Sequence, residues 1–246
     1  MTPDHPDPSS VLDRPEVLVI EHETDCPPAV LAEVLEAEGV TLRLVRAHRG
    51  DQVPDDLRGV EGLVVLGGGM DADDDAGHPW FPAVRALVRT ARDRRVPTLG
   101  ICLGAQQLAL ALEGAMGRRA VAEVGILPVV PTAEGRDDPL IAALGDDPRV
   151  LQWHQDQITA LPPASRLLAS GTDGAVQAFV TEDLAWGVQF HPEVTPEVVG
   201  RWAETSDLLP EGVTPAQAAA AVDEAQGPRA SWRALLAAFA RIVRGD

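Results

Sequence analysis

Val96-Pro97-Thr98-Leu99-Gly100-Ile101-Cys102-Leu103-Gly104-Ala105-Gln106-Gln107-Leu108-Ala109-Leu110-Ala111-Leu112 is the stretch that decides the fold. Val96 to Ile101 reads as a short buried strand, and Ala105 to Leu112 is rich in strong helix formers. Between them, Gly100-Ile101-Cys102-Leu103-Gly104 has the spacing of a nucleophile elbow. In that device a tight strand-to-helix turn carries the nucleophile, and small flanking residues let the backbone pass close to its neighbours. Cys102 then lies at a helix N-terminus, where partial positive charge favours the thiolate, the form that attacks a carbonyl carbon. Taken alone, the pentapeptide fits a buried structural cysteine in an α/β turn equally well.

Outward from this turn, strands and helices alternate. Val17-Leu18-Val19-Ile20 reads as a strand, Ala29 to Ala37 as an amphipathic helix closed by Gly39, and Leu42-Arg43-Leu44-Val45 as a strand. Leu63 to Leu66 follows as a strand and Phe81 to Arg94 as a helix. That order predicts an α/β domain: one open, mostly parallel sheet with helices on both faces. Beyond Met116 the apolar runs shorten to Leu127-Pro128-Val129-Val130, Val150-Leu151-Gln152-Trp153, Val176 to Val180 and Gly187 to Phe190. They predict a mixed or antiparallel section that brings His191 back to Cys102. In the tail, Trp232, Leu235, Leu236, Phe239, Ile242 and Val243 share one helical face, with Arg233, Arg241 and Arg244 left to solvent. This is expected to dock on the chain's own core. Residues 16–246 are read as a single domain. Residues 1–15, rich in Pro, Asp and Ser and without the apolar core of a signal peptide, are read as a disordered lead.

Gly187-Val188-Gln189-Phe190-His191-Pro192-Glu193 supplies the second motif. Pro192 biases His191 away from helical angles, which predicts an extended segment with His191 and Glu193 projecting to the same side. Glu193 could then hold one imidazole nitrogen and leave the other facing outward, as a general acid/base requires. A surface His and Glu at an ordinary strand end is the plainer alternative. Beside the cysteine elbow it loses force, because a cysteine, a histidine and an orienting carboxylate are the parts needed for nucleophilic acyl transfer.

Composition narrows the partners. The formal net charge of −18 over 246 residues repels nucleic acid and anionic membranes. No apolar stretch approaches the roughly 20 residues that span a bilayer. The only cysteines, Cys26 and Cys102, form no disulfide framework, and a catalytic thiol needs reducing surroundings, so a cytoplasmic location is expected. Cys26, beside Pro27 and Pro28, reads as a structural or incidental loop residue. Asp71-Ala72-Asp73-Asp74-Asp75-Ala76-Gly77-His78 invites a metal reading, but consecutive aspartates cannot all converge on one ion. A solvated acidic loop is expected there, and no metal.

The two motifs, with Leu66-Gly67-Gly68-Gly69-Met70, Leu151-Gln152-Trp153-His154-Gln155-Asp156 and Trp186 to Val194, resemble the class I (triad) glutamine amidotransferase family. The chain is similar in particular to stand-alone members related to the glutaminase domain of GMP synthase, from about Glu16 to the helix after His191. The resemblance implies the family's flavodoxin-like fold, with Cys102 as nucleophile, His191 as acid/base and Glu193 as its orienter. It implies an oxyanion hole from the N–H groups of Gly68 and Leu103, and substrate binding by Gln106 and by His154, which falls in a loop near the substrate pocket. One departure is Gly69, where relatives usually carry proline. The implied reaction is hydrolysis of the γ-glutamyl amide of glutamine through a thioester, releasing glutamate and ammonia. The alternatives are a γ-glutamyl peptidase acting on small conjugates, and a non-catalytic regulatory or binding module. With no ATP-binding motif or acceptor domain in the sequence, no cofactor is expected, and ammonia would pass to a separate synthetase subunit if the chain has one as partner.

Overall fold

The computed structural model describes residues 14–246. Residues 1–13, most of the stretch read as a disordered lead, lie outside the described residues. Pro15, assigned to that lead, belongs to the fold: its carbonyl accepts the Thr41 N–H at 2.8 Å.

Five parallel strands build one side of the sheet: β1 (Glu16–Glu21), β2 (Thr41–Arg46), β3 (Gly62–Val65), β4 (Thr98–Ile101) and β10 (Ala185–Val188). Antiparallel β9 (Val176–Thr181), β8 (Ser165–Ser170) and β6 (Val130–Pro131) extend it, giving the order β2-β1-β3-β4-β10-β9-β8-β6. Both faces are covered, which is why the central strands read as continuous apolar runs. Val17 and Val19 point into one layer with α1 (Ala29–Ala37) and α7 (Gln226–Arg244). Leu18 and Ile20 point into the other, against α2 (Phe81–Asp93) and α3 (Leu103–Ala111). Of the tail's apolar face, Trp232, Leu235, Leu236, Phe239 and Val243 are buried, and Arg233 pairs with Glu33 of α1 at 2.9 Å. The tail helix therefore docks on its own core.

Several expectations need correction. The section after Met116 begins with a 14-residue strand, β5 (Ala115–Pro128), which pairs antiparallel with β7 (Arg149–Ala160) in a separate ribbon. Its first half mixes Gly, Ala and Arg and is only partly buried, so it carries no apolar period. The strand Ser165–Ser170 and the helix α6 (Pro215–Glu224) were also not anticipated. Helix α6 buries only Val222, so it lacks an amphipathic stripe. Its start was nonetheless legible, since Thr214 caps it reciprocally with Gln217 and Pro215 fills the first turn. Helix α5 (Pro196–Thr205) starts in a similar way, with the Thr195 hydroxyl accepting the Val198 N–H and Pro196 following it. The short α4 (Ala133–Asp137) begins on Thr132, whose hydroxyl accepts the Gly135 N–H.

Candidate active site

The elbow is strained, as its position requires. Cys102 has φ 50° and ψ −109°, a conformation that L side chains rarely adopt and that persists only where the surroundings enforce it. Two contacts enforce it here. The Cys102 N–H donates to Val188 of β10 at 2.8 Å, and the Cys102 carbonyl accepts the Gln106 N–H at 3.1 Å. A Cβ on Gly100 would fall 2.6 Å from the Gly104 carbonyl oxygen, and one on Gly104 would overlap the Val65 carbonyl. The two glycines therefore let α3 lie directly against β3 and β4.

His191 is brought to Cys102 by β10, which lies between β4 and β9. Its N–H donates to the Leu151 carbonyl at 2.9 Å. His191 and Glu193 are not on an extended segment as expected: β10 ends at Val188 and Pro192-Glu193 form a turn. The chain has thus left the sheet before Pro192, which falls in the turn. The pairing survives, with His191 Nδ1 2.8 Å from Glu193 Oε1 and both side chains buried. Nδ1 being held, Nε2 is left for Cys102. Burial alone pulls the imidazolium down. The negative charges of Cys102 and Glu193 and hydrogen bonds to both outweigh it, lifting the His191 pKa to about 10.

Gly67 and Gly68 follow the carboxyl end of β3, where open α/β sheets place their sites. A Cβ on Gly67 would meet His191 Cε1 at 3.0 Å and Cys102 Cβ at 3.7 Å, so this backbone runs against both side chains. Among the described residues, the N–H groups of Gly68 and Leu103 have no acceptor within the chain. The Leu103 side chain turns away to pack with Ala72 and Phe81. At Gly69 the departure from proline has a structural use, because its N–H donates to Glu23 Oε1 at 2.8 Å. Behind the loop, buried His22 accepts the Trp80 indole N–H at 3.0 Å. Burial first, then neighbouring His78 and His48, hold the His22 pKa down to about 3.

A cleft of about 390 Å³ opens over Cys102 and His191 and is also lined by Gly68, Gln106 and His154. Gln106 Nε2 points to Gln189 Oε1 at 3.4 Å, and Gln189 Nε2 points to Cys102 Sγ at 3.6 Å. Gln189, two residues before His191, is the link that sequence reasoning missed. The His154 ring nitrogens face the Asp156 carbonyl at 2.8 Å, Gln152 Oε1 at 3.0 Å and Glu123 Oε2 at 3.2 Å. Its hydrogen-bonding capacity is thus used within the chain, in a buried network that Gln177 completes. Cys26 is no incidental loop residue: it is buried, lines the cleft and directs its Sγ to Glu23 Oε1 at 3.2 Å. Burial, followed by the Glu23 carboxylate, pushes its thiol well above the usual range. The loop 71–78 is largely exposed, with Asp71 on the cleft wall paired to Arg118 at 3.1 Å and Asp75 bonded to Arg85 at 2.7 Å.

A strained cysteine on a strand-to-helix turn, facing a carboxylate-bound histidine at the carboxyl edge of a parallel sheet, places the chain in the class of open α/β proteins with a candidate site at that edge. The chain belongs to the class I glutamine amidotransferase family, whose model matches residues 28–202. It is 35% identical over 132 residues to a glutamine-hydrolyzing GMP synthase subunit from Haloarcula marismortui, a match covering 53% of this chain and 64% of that one. It is 30% identical over 167 residues to the glutamine amidotransferase-like protein YfeJ of Salmonella typhimurium, covering 67% of this chain and 70% of that one. The crystal structure of a glutamine amidotransferase from Methylobacillus flagellatus superposes with a TM-score of 0.82 at 28% identity, covering 95% of this chain and 96% of that one. The chain thus spans less than two thirds of the length of the Haloarcula relative. Among the described residues, no helix is long and apolar enough to cross a membrane.

Proposed function

We propose that the chain hydrolyses the γ-glutamyl amide of glutamine, with Cys102 as nucleophile, His191 as acid/base and Glu193 as its orienter. The observation that carries this reading is the buried His191–Glu193 pair, 2.8 Å apart, beside a cysteine held at a positive φ. Cys102 as thiolate attacks the amide carbon. The resulting oxyanion is met by the N–H groups of Gly68 and Leu103, each such donor typically worth about 3 kcal/mol of barrier. His191 Nε2 protonates the leaving nitrogen as the carbon–nitrogen bond breaks. Water, deprotonated by His191, then opens the γ-glutamyl thioester, and glutamate leaves. Glu193 keeps Nδ1 occupied throughout, so that Nε2 always faces the reaction. Gln106, with Gln189 beside it, is placed to contact the substrate; His154 supports the wall.

Relatives named as subunits of a glutamine-hydrolysing synthase support a second part of the reading, delivery of ammonia to a separate synthetase. Such a thiol enzyme works in reducing surroundings, in keeping with a cytoplasmic location. The cleft volume favours one alternative as well. About 390 Å³ lies within the range of roughly 300–1,000 Å³ typical of pockets for drug-sized ligands, which leaves room for a γ-glutamyl conjugate larger than glutamine.

The test is glutamate release by the purified protein from glutamine and from γ-glutamyl dipeptides, with Cys102→Ala run beside it. Cysteine-dependent release from either supports the reading. Release that persists in Cys102→Ala refutes the role of Cys102, and no release together with no covalent labelling of Cys102 by a glutamine-like electrophile refutes the reading in favour of a non-catalytic module.

A further inference from the structure

We infer that the cleft selects γ-glutamyl amides whose amine portion carries a second, protonated nitrogen, with Asp25 and Asp207 facing that charge along a wall formed by Trp202 and Trp153. The inference rests on the γ-glutamyl reading given above and concerns the leaving-group side of the same site.

Direction comes first. His191 delivers the proton to the departing nitrogen, so the amine portion lies on the His191 side of the cleft. There the wall is aromatic. The Trp202 ring lies 4.7 Å from the His191 ring, edge-on, and the Trp153 ring lies 5.9 Å beyond Trp202. Both indoles are fixed at their nitrogens, Trp202 donating to the Asp25 carbonyl at 2.7 Å and Trp153 to Ser206 Oγ at 3.2 Å. These two anchors also place the acids. Asp25 is the residue that holds Trp202, and Asp207 follows the residue that holds Trp153; both line the cleft. Tryptophan faces with carboxylates beside them attract organic cations by their ring quadrupole and by charge.

Charge across the whole cleft points the same way. Its walls carry Glu23, Asp25, Asp71, Asp156 and Asp207 against Arg118 and His191, the latter paired with Glu193. That proportion exceeds the 38 acids to 20 bases of the chain, so overall acidity does not account for it. Arg118 is itself bracketed, by Asp71 at 3.1 Å and Asp156 at 3.3 Å, and takes Gln155 Oε1 at 3.1 Å. On the tryptophan side the charge of His191 is offset by Glu193 and Cys102, and Arg201 lies outside the cleft lining, half-exposed and 3.7 Å from Asp25. Asp207 has no ion pair among the described residues. A γ-glutamyl amide of a diamine bears net charge +1, glutamine 0 and a γ-glutamyl amino acid −1 near neutral pH. The field of the cleft ranks them in that order.

The chemistry is unchanged and balanced. The thiolate sulfur bonds to the amide carbon, and the carbon–nitrogen bond breaks with a proton from His191. The diamine leaves with its second nitrogen still protonated, and water releases glutamate from the thioester.

The experiment compares the γ-glutamyl amides of 1,4-diaminobutane, of 4-aminobutanamide and of 4-aminobutyrate, which match in length and differ at the far end as cation, neutral and anion. Expected is a kcat/KM ratio of roughly 10 between cation and neutral, the anion being poorer still, since two partly exposed carboxylates and an aromatic wall each contribute modestly. Raising salt to 0.5 M compresses the ratio. In Asp25→Asn/Asp207→Asn the ratio falls toward one. Calorimetric binding of the same three compounds to Cys102→Ala gives the ranking independently of turnover. Equal use or equal binding of the three, or a ratio indifferent to salt and to the double variant, overturns this inference and leaves the γ-glutamyl reading standing. If none of the three, nor glutamine, is bound or cleaved, the γ-glutamyl reading itself fails, and this inference with it.

Discussion

Gly67→Ala and Gly104→Ala separate the two jobs that glycine does around Cys102. The methyl added at Gly67 meets His191 Cε1 at 3.0 Å, whereas carbon atoms pack best at about 3.5–4.0 Å. The imidazole therefore retreats by roughly 0.5–1 Å, and a 1 Å misplacement of a reacting group can cost about 10²-fold in rate. The expected loss is about 10- to 100-fold in glutamate release or in alkylation of Cys102 by a glutamine-like electrophile. The side chain that gives way is a ring, so stability falls by only about 1 kcal/mol, near the lower bound for overpacking. For a domain of this size that lowers Tm by roughly 2–4 °C. At Gly104 the obstacle is the Val65 carbonyl, whose carbon lies 2.6 Å from the added methyl, in the backbone of the central strand β3. Nothing there can rotate away, and the expected cost is about 3 kcal/mol or more, a Tm drop above roughly 6 °C. Thermal unfolding and labelling rate, measured on both variants, decide the matter. A Gly67→Ala protein with unimpaired labelling, or one as unstable as Gly104→Ala, refutes the placement of His191 against the Gly67 backbone.

The triad assignment expects turnover to vanish in Cys102→Ser and His191→Ala with the melting transition retained, and to persist at a fraction in Glu193→Ala; full activity in either of the first two removes it. The His191 pKa of about 10 lies above the value near 6.5 of an unfolded chain, so the pair stabilises the fold fully below pH 6.5 and loses that contribution as pH rises through 10. Unfolding free energy measured by denaturant titration should decline across that window, and less so in Cys102→Ala, where one of the charges that raises the pKa is gone. Buried Asp138 accepts the Leu140 and Ile141 N–H groups at 2.9 and 3.0 Å and the Trp186 indole at 3.0 Å. Asp138→Ala leaves three donors unpaired and should cost roughly 3–5 kcal/mol, or about 6–20 °C in Tm by calorimetry.

The elbow and the His191–Glu193 pairing were legible because each acts over a few residues, whereas the turn that carries the pair was not. Glycine spacing sets how closely α3 can approach β3, and a carboxylate two residues from a histidine can reach its ring whether the segment is extended or, as here, a turn. The central strands were legible for a related reason: burial on both faces leaves an apolar run with no polar interruptions. The start of β5, the helix α6 and the role of Gln189 were less so. They involve small or polar residues whose placement depends on partners far along the chain, such as Asp156 against Arg118 or Gln106 against Gln189.

By itself the sequence determined the α/β alternation, the strained cysteine turn and the identity of the three residues proposed to react, because backbone sterics and local spacing are written in consecutive residues. Only the tertiary structure decided what surrounds them. Placing β10 parallel to β4 and antiparallel to β9 carries His191 to Cys102. Loop 22–28, the β5–β7 ribbon and the end of α5 then close over the cleft. Glu23, Cys26, Arg118, Trp153, Trp202 and Asp207 become neighbours there despite their separation in sequence, since a cleft wall is assembled by packing and leaves no period along the chain.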